Sequence, residues 1–319
     1  MLKLNLLNLR GNQLLADKRH VISTKQFFDR SILESLFSIT NQIKSGKFVS
    51  RSDGKILATL FYEPSTRTRF SFESSMMRLG GNVISTEAAG HFSSVSKGES
   101  LEDTIRVVSS YCDAIVLRHP EAGSAERAAT VATVPVINAG DGLGEHPTQA
   151  LLDVYTISQY FPKVNNLKIA LVGDLLNGRT IHSLLYLLGL YENISFELVA
   201  PTKLKLPETY KDYLTSQNLK FRELDSLDGL SRDIDVLYLT RVQKERFAEA
   251  SEYEALKHYF IVDNKLANSL KKTAIIMHPL PRVGELLPEV DENPRAKYFE
   301  QAANGLFVRM ALLDHLLRR

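Results

Sequence analysis

The chain has 319 residues, a net charge of +2, and 44% hydrophobic and 24% charged residues, a balance typical of a soluble globular protein of about two domains. Basic residues are spread along the chain, which argues against a nucleic-acid partner, and no apolar stretch is long enough to cross a bilayer. The single cysteine, Cys112, excludes an internal disulfide, and without a signal-peptide core the predicted location is the cytoplasm. The eight histidines lack metal-ligand spacing, so neither a metal nor a cofactor is expected.

The first half of the chain alternates helical patterns with short apolar runs. Residues 24–43 predict a helix with one apolar face, formed by Phe28, Ile32, Leu36, Ile39 and Ile43. Strand-like runs occupy 55–62, 82–86, 113–119 and 134–140, with helical patterns after 62 and at 100–111 and 121–132.

The second half repeats this alternation. Strands are predicted at 167–175, 195–201, 219–224, 235–242 and 273–281, with helices at 179–193 and 207–218. The helical pattern 146–161 is a candidate connector, and the amphipathic pattern 305–319 is expected to pack back on the first domain. The predicted fold class is therefore α/β, with two doubly wound parallel-sheet domains spanning residues 1–148 and 149–304.

Polar clusters follow the predicted strands repeatedly. They occupy 63–69, 118–120, 138–149, 177–180, 240–246 and 278–282. Ligands of open parallel sheets bind outside the carboxyl ends of the strands. Six clusters at such ends predict one shared active site in a cleft between the two domains.

The first cluster, "EPSTRTR", has the chemistry of an anion site. Pro64 ends the strand, and Ser65 is a predicted N-cap for a helix whose first amides lack partners. Such a helix start attracts phosphate, and Arg67 can hold two phosphate oxygens at once. A capped helix with solvated arginines explains this cluster alone equally well. The G-x-x-x-x-G-K-[ST] and G-x-G-x-x-G fingerprints are absent, which argues against a nucleotide P-loop and a nicotinamide-dependent oxidoreductase.

Several motifs together resemble the catalytic chains of the aspartate carbamoyltransferase family. They are "FYEPSTRTRFSFESSMMRLGG", "SKGESLEDT", "RHP", "NAGDGLGEHPTQALLD", "VGDLLNGRTIHSL", "TRVQKER" and "HPLPR", in the family's order from about residue 20 to the end. The resemblance implies transfer of a carbamoyl group from carbamoyl phosphate to L-aspartate, giving N-carbamoyl-L-aspartate and phosphate in pyrimidine biosynthesis. It also implies a homotrimer with shared active sites, and leaves regulatory chains or other pathway enzymes open as partners.

The resemblance also assigns roles to individual residues. The catalytic set would be Arg67, Thr68, Lys97, Arg118 and His146. Carbamoyl phosphate would be bound by Ser65, Thr66, Arg67, Thr68, Arg118, His146 and Gln149. Aspartate would be bound by Lys97, Arg179, Arg241, Gln243 and the backbone of Pro279 and Leu280. Ser93 and Lys97 would reach the site from a neighbouring subunit, and Glu63 would pair with Arg179 and Arg246 when the domains close.

Two rival functions remain open at this level. An ornithine carbamoyltransferase shares the phosphate motif, but its cationic substrate calls for acidic recognition and its "HPLP" segment typically carries a thiol; neither is evident here. A non-catalytic phosphate-binding homologue is expected to lack some of Arg67, Lys97, Arg118 and His146, and all four are present.

Overall fold

Two parallel β-sheets organise the residues that the computed structural model describes, which are 19–47, 51–87, 98–247 and 249–318. The chain divides into two compact units, one containing the residues up to Leu152 together with those from Ala303, and the other Asp153–Ala302. The sequence-based boundaries, after residues 148 and 304, lie a few residues away from these divisions.

The first unit contains a four-stranded sheet. Its strands are β1 (Ile56–Phe61), β2 (Asn82–Glu87), β3 (Ala114–His119) and β4 (Val136–Asp141). Its helices are α1 (Arg30–Lys44), α2 (Thr66–Arg78), α3 (Leu101–Val108) and α4 (Ser124–Val131). The spatial order is β2-β1-β3-β4 and all pairs are parallel. The apolar runs of β1 and β3 are buried because these strands lie inside the sheet, whereas the edge strand β2 is largely exposed.

The second unit contains a five-stranded sheet. Its strands are β5 (Lys168–Val172), β6 (Ser195–Val199), β7 (Lys220–Leu224), β8 (Val236–Leu239) and β9 (Ile275–Met277). The remaining helices are α5 (Pro147–Tyr160), α6 (Arg179–Leu188), α7 (Glu208–Ser216), α8 (Ala250–Leu256), α9 (Asn264–Ser269) and α10 (Tyr298–Leu317). The order is β7-β6-β5-β8-β9, again with parallel pairs. The predicted fold class of two parallel-sheet α/β domains is confirmed.

The first predicted helix was wrong at its beginning. Asp29 is the N-cap of α1, its carboxylate accepting a hydrogen bond from the Ser31 amide at 2.8 Å, so Phe28 lies outside the helix and is 63% exposed. The apolar face continues as expected through Ile32 and Leu36. Two short helices, α8 and α9, had no counterpart in the prediction, and α10 begins seven residues before the predicted start at 305.

The C-terminal part of α10 packs within the first unit. Lys44 Nζ donates to Asn304 Oδ1 at 2.9 Å, which ties α10 to the end of α1. Arg309 donates to Ser71 Oγ at 2.9 Å, and its guanidinium lies 5.0 Å from the centre of the Phe72 ring. These contacts join α10 to α2, the helix that begins within the "EPSTRTR" cluster.

Each sheet has one topological switch point, where the chain leaves neighbouring strands in opposite directions. In the first sheet β1 is flanked by β2 and β3, so the connections after β1 and β3 diverge. In the second sheet β5 is flanked by β6 and β8, with the same consequence. Diverging connections leave a crevice at the carboxyl ends of such a strand pair, which is where ligands bind in open α/β sheets.

Gly173 lies at the switch point of the second sheet and has no room for a side chain. Its φ is +120°, and a Cβ there would lie 2.0 Å from the carbonyl oxygen of Thr240. We expect Gly173→Ala to lower the free energy of unfolding by about 3 kcal/mol or more, because backbone strain and a backbone clash add. Gly54, with φ +75° and no neighbour within 4 Å of a Cβ, is the matched control. Gly54→Ala should cost about 1 kcal/mol in urea unfolding, and equal losses at both positions would contradict the close approach.

Candidate active site

The start of α2 follows β1 directly and presents several donors. Ser65 is at the N-cap position, but its side chain makes no capping hydrogen bond, which differs from the predicted cap. Thr66 and Arg67 are exposed in the first helical turn, whereas Thr68 is only 8% exposed. The first amides of a helix have no intrahelical acceptor. The segment Ser65–Thr68 therefore offers amides, hydroxyls and a guanidinium to an anion at the switch point of the first sheet.

Arg69, the second arginine of the motif, is occupied by carboxylates. Its Nη2 lies 3.0 Å from Glu87 and its Nε 3.8 Å from Glu73, and its side chain is 18% exposed. These pairs join α2 to the end of β2. They separate Arg69, which serves packing, from Arg67, which is exposed at the helix start.

Arg118 lies at the end of β3, on the other side of the same switch point. Its Nη2 is 3.5 Å from Glu63 Oε2, and its Nη1 donates to the Ala139 carbonyl at 3.4 Å. The guanidinium is thereby oriented by a carboxylate that follows β1 and by a carbonyl within β4. Within the first unit Glu63 contacts Arg118, while its predicted pairing with Arg179 and Arg246 stays a prediction.

The loop that joins β4 to α5 is held by a buried carboxylate. Asp141 accepts hydrogen bonds from the amides of Gly123 and Glu145, both at 2.9 Å. His146 follows this loop and is 5% exposed, and its carbonyl accepts from the Gln149 amide at 3.1 Å as α5 begins. The predicted residues His146 and Gln149 are therefore both buried at the first turn of α5.

Two further residues have structural roles: His119 at the carboxyl end of β3, and Cys112, which precedes the amino end of the same strand. His119 packs against Tyr62 with ring centres 4.6 Å apart, and its Nδ1 accepts from the Glu121 amide at 3.1 Å. Burial lowers the pKa of His119, so its ring is neutral at physiological pH. Burial raises the pKa of the Cys112 thiol to about 11, which makes it a poor nucleophile, as the sequence indicated.

In the second unit, Asp174 joins the loops that follow β5 and β8. It is fully buried and accepts from the Asn177 amide at 2.9 Å and from the Gln243 amide at 3.4 Å. The Gln243 side chain donates to the Asn177 carbonyl at 2.8 Å. Burial raises the pKa of Asp174, against the effect of these hydrogen bonds. Sequence reasoning missed this residue, although an aspartate directly after the apolar run "IALVG" was the available signal.

The two arginines predicted to bind aspartate lie at the same switch point of the second sheet. Arg179 is the first residue of α6, with Gly178 as its N-cap. Arg241 follows β8 and forms a two-pronged ion pair with Glu245, in which Nη1 lies 3.1 Å from Oε2 and Nη2 contacts Oε1. Burial alone would raise the pKa of Glu245, but the hydrogen bonds from Arg241 lower it. A substrate carboxylate would therefore compete with Glu245 for this guanidinium.

The loop after β9 presents carbonyl oxygens. His278 is buried, its Nε2 lies 2.7 Å from Glu285 Oε1, and its Nδ1 accepts from the Leu280 amide at 2.8 Å. Glu285 also accepts from the Val283 amide at 3.0 Å. Pro279 has no amide proton and the Leu280 amide is occupied, so the backbone of both residues can only accept hydrogen bonds. Leu280 has a φ of +54°, a conformation that this network supports.

Three predicted residues remain. Arg246 lies in the short 3-10 turn after β8, and its amide donates to the Gln243 carbonyl at 3.0 Å. Ser93 and Lys97 lie outside the described residues. Within the described ranges there is no group of three or more His, Cys, Asp or Glu side chains that could hold a metal ion, and no helix there is long and apolar enough to span a membrane.

Comparison with known proteins gives matches over nearly the whole chain. Residues 19–159 match the model of the aspartate/ornithine carbamoyltransferase carbamoyl-P binding domain, and residues 165–316 match that of the Asp/Orn binding domain. The chain is 53% identical to the chloroplastic aspartate carbamoyltransferase of Arabidopsis thaliana, over 93% of this chain and 77% of the relative.

Two solved structures are also similar. The catalytic subunit of Methanocaldococcus jannaschii aspartate transcarbamoylase has a TM-score of 0.86 at 49% identity, covering 93% of this chain and 97% of the other. The Trypanosoma cruzi aspartate transcarbamoylase in complex with carbamoyl phosphate and aspartate has a TM-score of 0.86 at 40% identity, covering 93% and 96%.

Proposed function

This chain belongs to the aspartate/ornithine carbamoyltransferase family, and we infer that it transfers the carbamoyl group of carbamoyl phosphate to the amino group of L-aspartate. The products are N-carbamoyl-L-aspartate and phosphate, and the reaction belongs to pyrimidine biosynthesis. The observation that carries the inference is the pairing of one anion-binding cluster with each sheet's switch point, in a chain whose two units match the two domains of this family.

The first unit is suited to carbamoyl phosphate. We assign the phosphate to Ser65–Thr68, where helix amides, hydroxyls and the Arg67 guanidinium act together. Arg118 lies across the same switch point and contributes to both the phosphate and the carbonyl oxygen. His146 and Thr68 donate to that carbonyl oxygen, and Gln149 orients the carbamoyl nitrogen.

The second unit is suited to aspartate. The two carboxylates of aspartate require cations, which Arg179 and Arg241 supply at one switch point. Gln243 is held next to them through Asp174 and Asn177. The carbonyl oxygens of Pro279 and Leu280 accept hydrogen bonds from a substrate N–H group. Lys97 would add a further cation, and this role rests on its motif alone.

The chemistry needs positioning and charge stabilisation and no covalent enzyme intermediate. The neutral amine of aspartate attacks the carbamoyl carbon, forming the C–N bond and placing negative charge on the carbonyl oxygen. Donors already aimed at that oxygen stabilise the tetrahedral species. The C–O bond to phosphate then breaks, and the leaving phosphate accepts the proton lost by the amine. Holding both substrates in this geometry can account for about 7–11 kcal/mol of the barrier.

Substrate preference tests this function directly. We expect the purified chain to form N-carbamoyl-L-aspartate and to use L-ornithine at least about 10⁴-fold less well in kcat/KM, because arginines would face an ammonium group. The measurement is colorimetric detection of ureido product with each amine at saturating carbamoyl phosphate, with phosphate release as a second readout. Turnover of ornithine without turnover of aspartate would overturn the assignment, and phosphate binding without turnover of either would favour the non-catalytic homologue.

The assembly of the chain and its location in the cell rest on separate observations. We propose a homotrimer with shared active sites. In support, α2 carries exposed Phe70 and Met77 seven residues apart on one helical face, and it packs on the edge strand β2, where Ile84 is also exposed. Apolar side chains beside an unpaired strand edge are typical of surfaces that bind another chain. A cytoplasmic location and the domain boundaries stay predictions, and the plant relative's name assigns that protein to the chloroplast.

A further inference from the structure

We propose that Glu145 is a positioning residue, which fixes His146 by fastening its loop to residues 20–26, here called the strap. The inference rests on the proposed function, because it assumes that His146 donates to the carbamoyl oxygen. Ser23 Oγ donates to Glu145 Oε1 at 2.6 Å. The amide and the hydroxyl of Thr24 donate to Glu145 Oε2 at 2.6 and 2.5 Å. One carboxylate thus receives three hydrogen bonds from two adjacent residues.

The strap is a firm anchor because the sheet holds it. The Val21 amide donates to the Val136 carbonyl, and the Asn138 amide donates to the Val21 carbonyl, both at 2.8 Å. The strap therefore continues the sheet beyond β4 by one parallel bridge. The Asn138 side chain adds a hydrogen bond to the Ile22 carbonyl at 2.9 Å. Gln26 Oε1 closes the strap on itself by accepting from the amides of Ile22 and Ser23.

The loop side is equally constrained. The Glu145 amide donates to Asp141 Oδ1 at 2.9 Å, so the residue before His146 is held through both its backbone and its side chain. The next turn is already helical, since the amides of Gln149 and Ala150 both contact the His146 carbonyl. Loss of the carboxylate would remove the three hydrogen bonds through which the Glu145 side chain connects this loop to the strap. A displacement of about 1 Å at a catalytic group can reduce a rate by about 100-fold.

The test is Glu145→Gln, a change of nearly equal volume. It replaces one acceptor oxygen with an amide NH2 group, which would face the donors of Ser23 or Thr24. We expect kcat to fall about 10- to 100-fold, while KM for carbamoyl phosphate changes by less than about threefold because Ser65–Thr68 is untouched. Gln26→Ala is the matched control. It removes hydrogen bonds to the Ile22 and Ser23 amides inside the strap and leaves Glu145 intact. It should lower Tm with kcat within about twofold of the wild type.

A double-mutant cycle makes the pairing itself measurable. The partner-side variant Ser23→Ala/Thr24→Val should lower kcat to a similar extent, and combining it with Glu145→Gln should cause little further loss. Additive losses, an unchanged kcat in Glu145→Gln, or a kcat loss in Gln26→Ala as large as in Glu145→Gln would each overturn the positioning role. If the wild-type chain turns over aspartate and Glu145→Gln matches it, only this inference fails. If the wild-type chain does not turn over aspartate, the proposed function fails and takes this inference with it.

Discussion

We expect Arg67→Ala to lower kcat/KM for carbamoyl phosphate by about 10²- to 10³-fold, the loss typical of removing one preorganised donor from developing charge. Arg67 is exposed in the first turn of α2, where the helix amides face the same space. Its guanidinium can bond two phosphate oxygens at once, which a lysine cannot do. Arg67→Lys should therefore recover only part of the loss, and mostly through binding. Initial rates over a range of carbamoyl phosphate concentrations separate kcat from KM.

Arg69→Ala is the control that the same motif provides. Arg69 lies two residues further along α2, and its charge is taken up by Glu73 and Glu87. This substitution should change the free energy of unfolding more than it changes kcat/KM, because the residue joins α2 to β2. Arg67→Ala should show the opposite pattern. If the two variants lost activity and stability in the same proportion, the motif would be a structural helix start and the phosphate assignment would be wrong.

The parallel sheets could be predicted because their sequence signal is local. Strands buried on both faces are short continuous apolar runs, such as the one that forms β1, and helical patterns between them require parallel crossovers. The positions of the polar clusters at strand ends were readable in the same way. Strand order was not, and it is the order that identifies β1/β3 and β5/β8 as switch points. The prediction that Phe28 belongs to the first helix failed, because apolar spacing does not reveal that Asp29 caps this helix and that the helix begins only after Asp29.

The contacts that orient the site residues were not predictable from one sequence, because they join distant positions. Glu145 and Thr24 are 121 residues apart, and Asp174 and Gln243 are 69 residues apart. In sequence, each of these residues is only a polar side chain in a loop. Their importance follows from burial and from the number of hydrogen bonds that converge on one carboxylate, which only the folded chain defines. The family resemblance gave roles to residues that touch substrate and to Glu63 and Arg246, but it gave none to Glu145 or Asp174.

Mixing two inactive variants should restore activity if neighbouring subunits share a site. We expect Arg67→Ala and Lys97→Ala chains each to retain about 1% of wild-type activity or less. Lys97 is assigned to the neighbouring subunit, so in randomly mixed trimers some sites combine an intact Arg67 from one chain with an intact Lys97 from the next. About a quarter of the sites should be intact in an equal mixture. The measurement is activity after dissociation, mixing and reassociation, with hybrid trimers identified by mass.

Arg67→Ala mixed with Arg118→Ala is the matched negative control. Arg67 follows β1 and Arg118 lies at the end of β3, so both belong to the same unit of one chain, at the β1/β3 switch point. Every site in that mixture therefore carries one defect, whichever chains are neighbours, and no activity should return. Recovery in the Lys97 mixture alone requires that a site draws Arg67 and Lys97 from different chains. Hybrid trimers without recovery would confine the whole site to one chain. Recovery in both mixtures would mean that Arg67 and Arg118 of the same chain do not serve the same site.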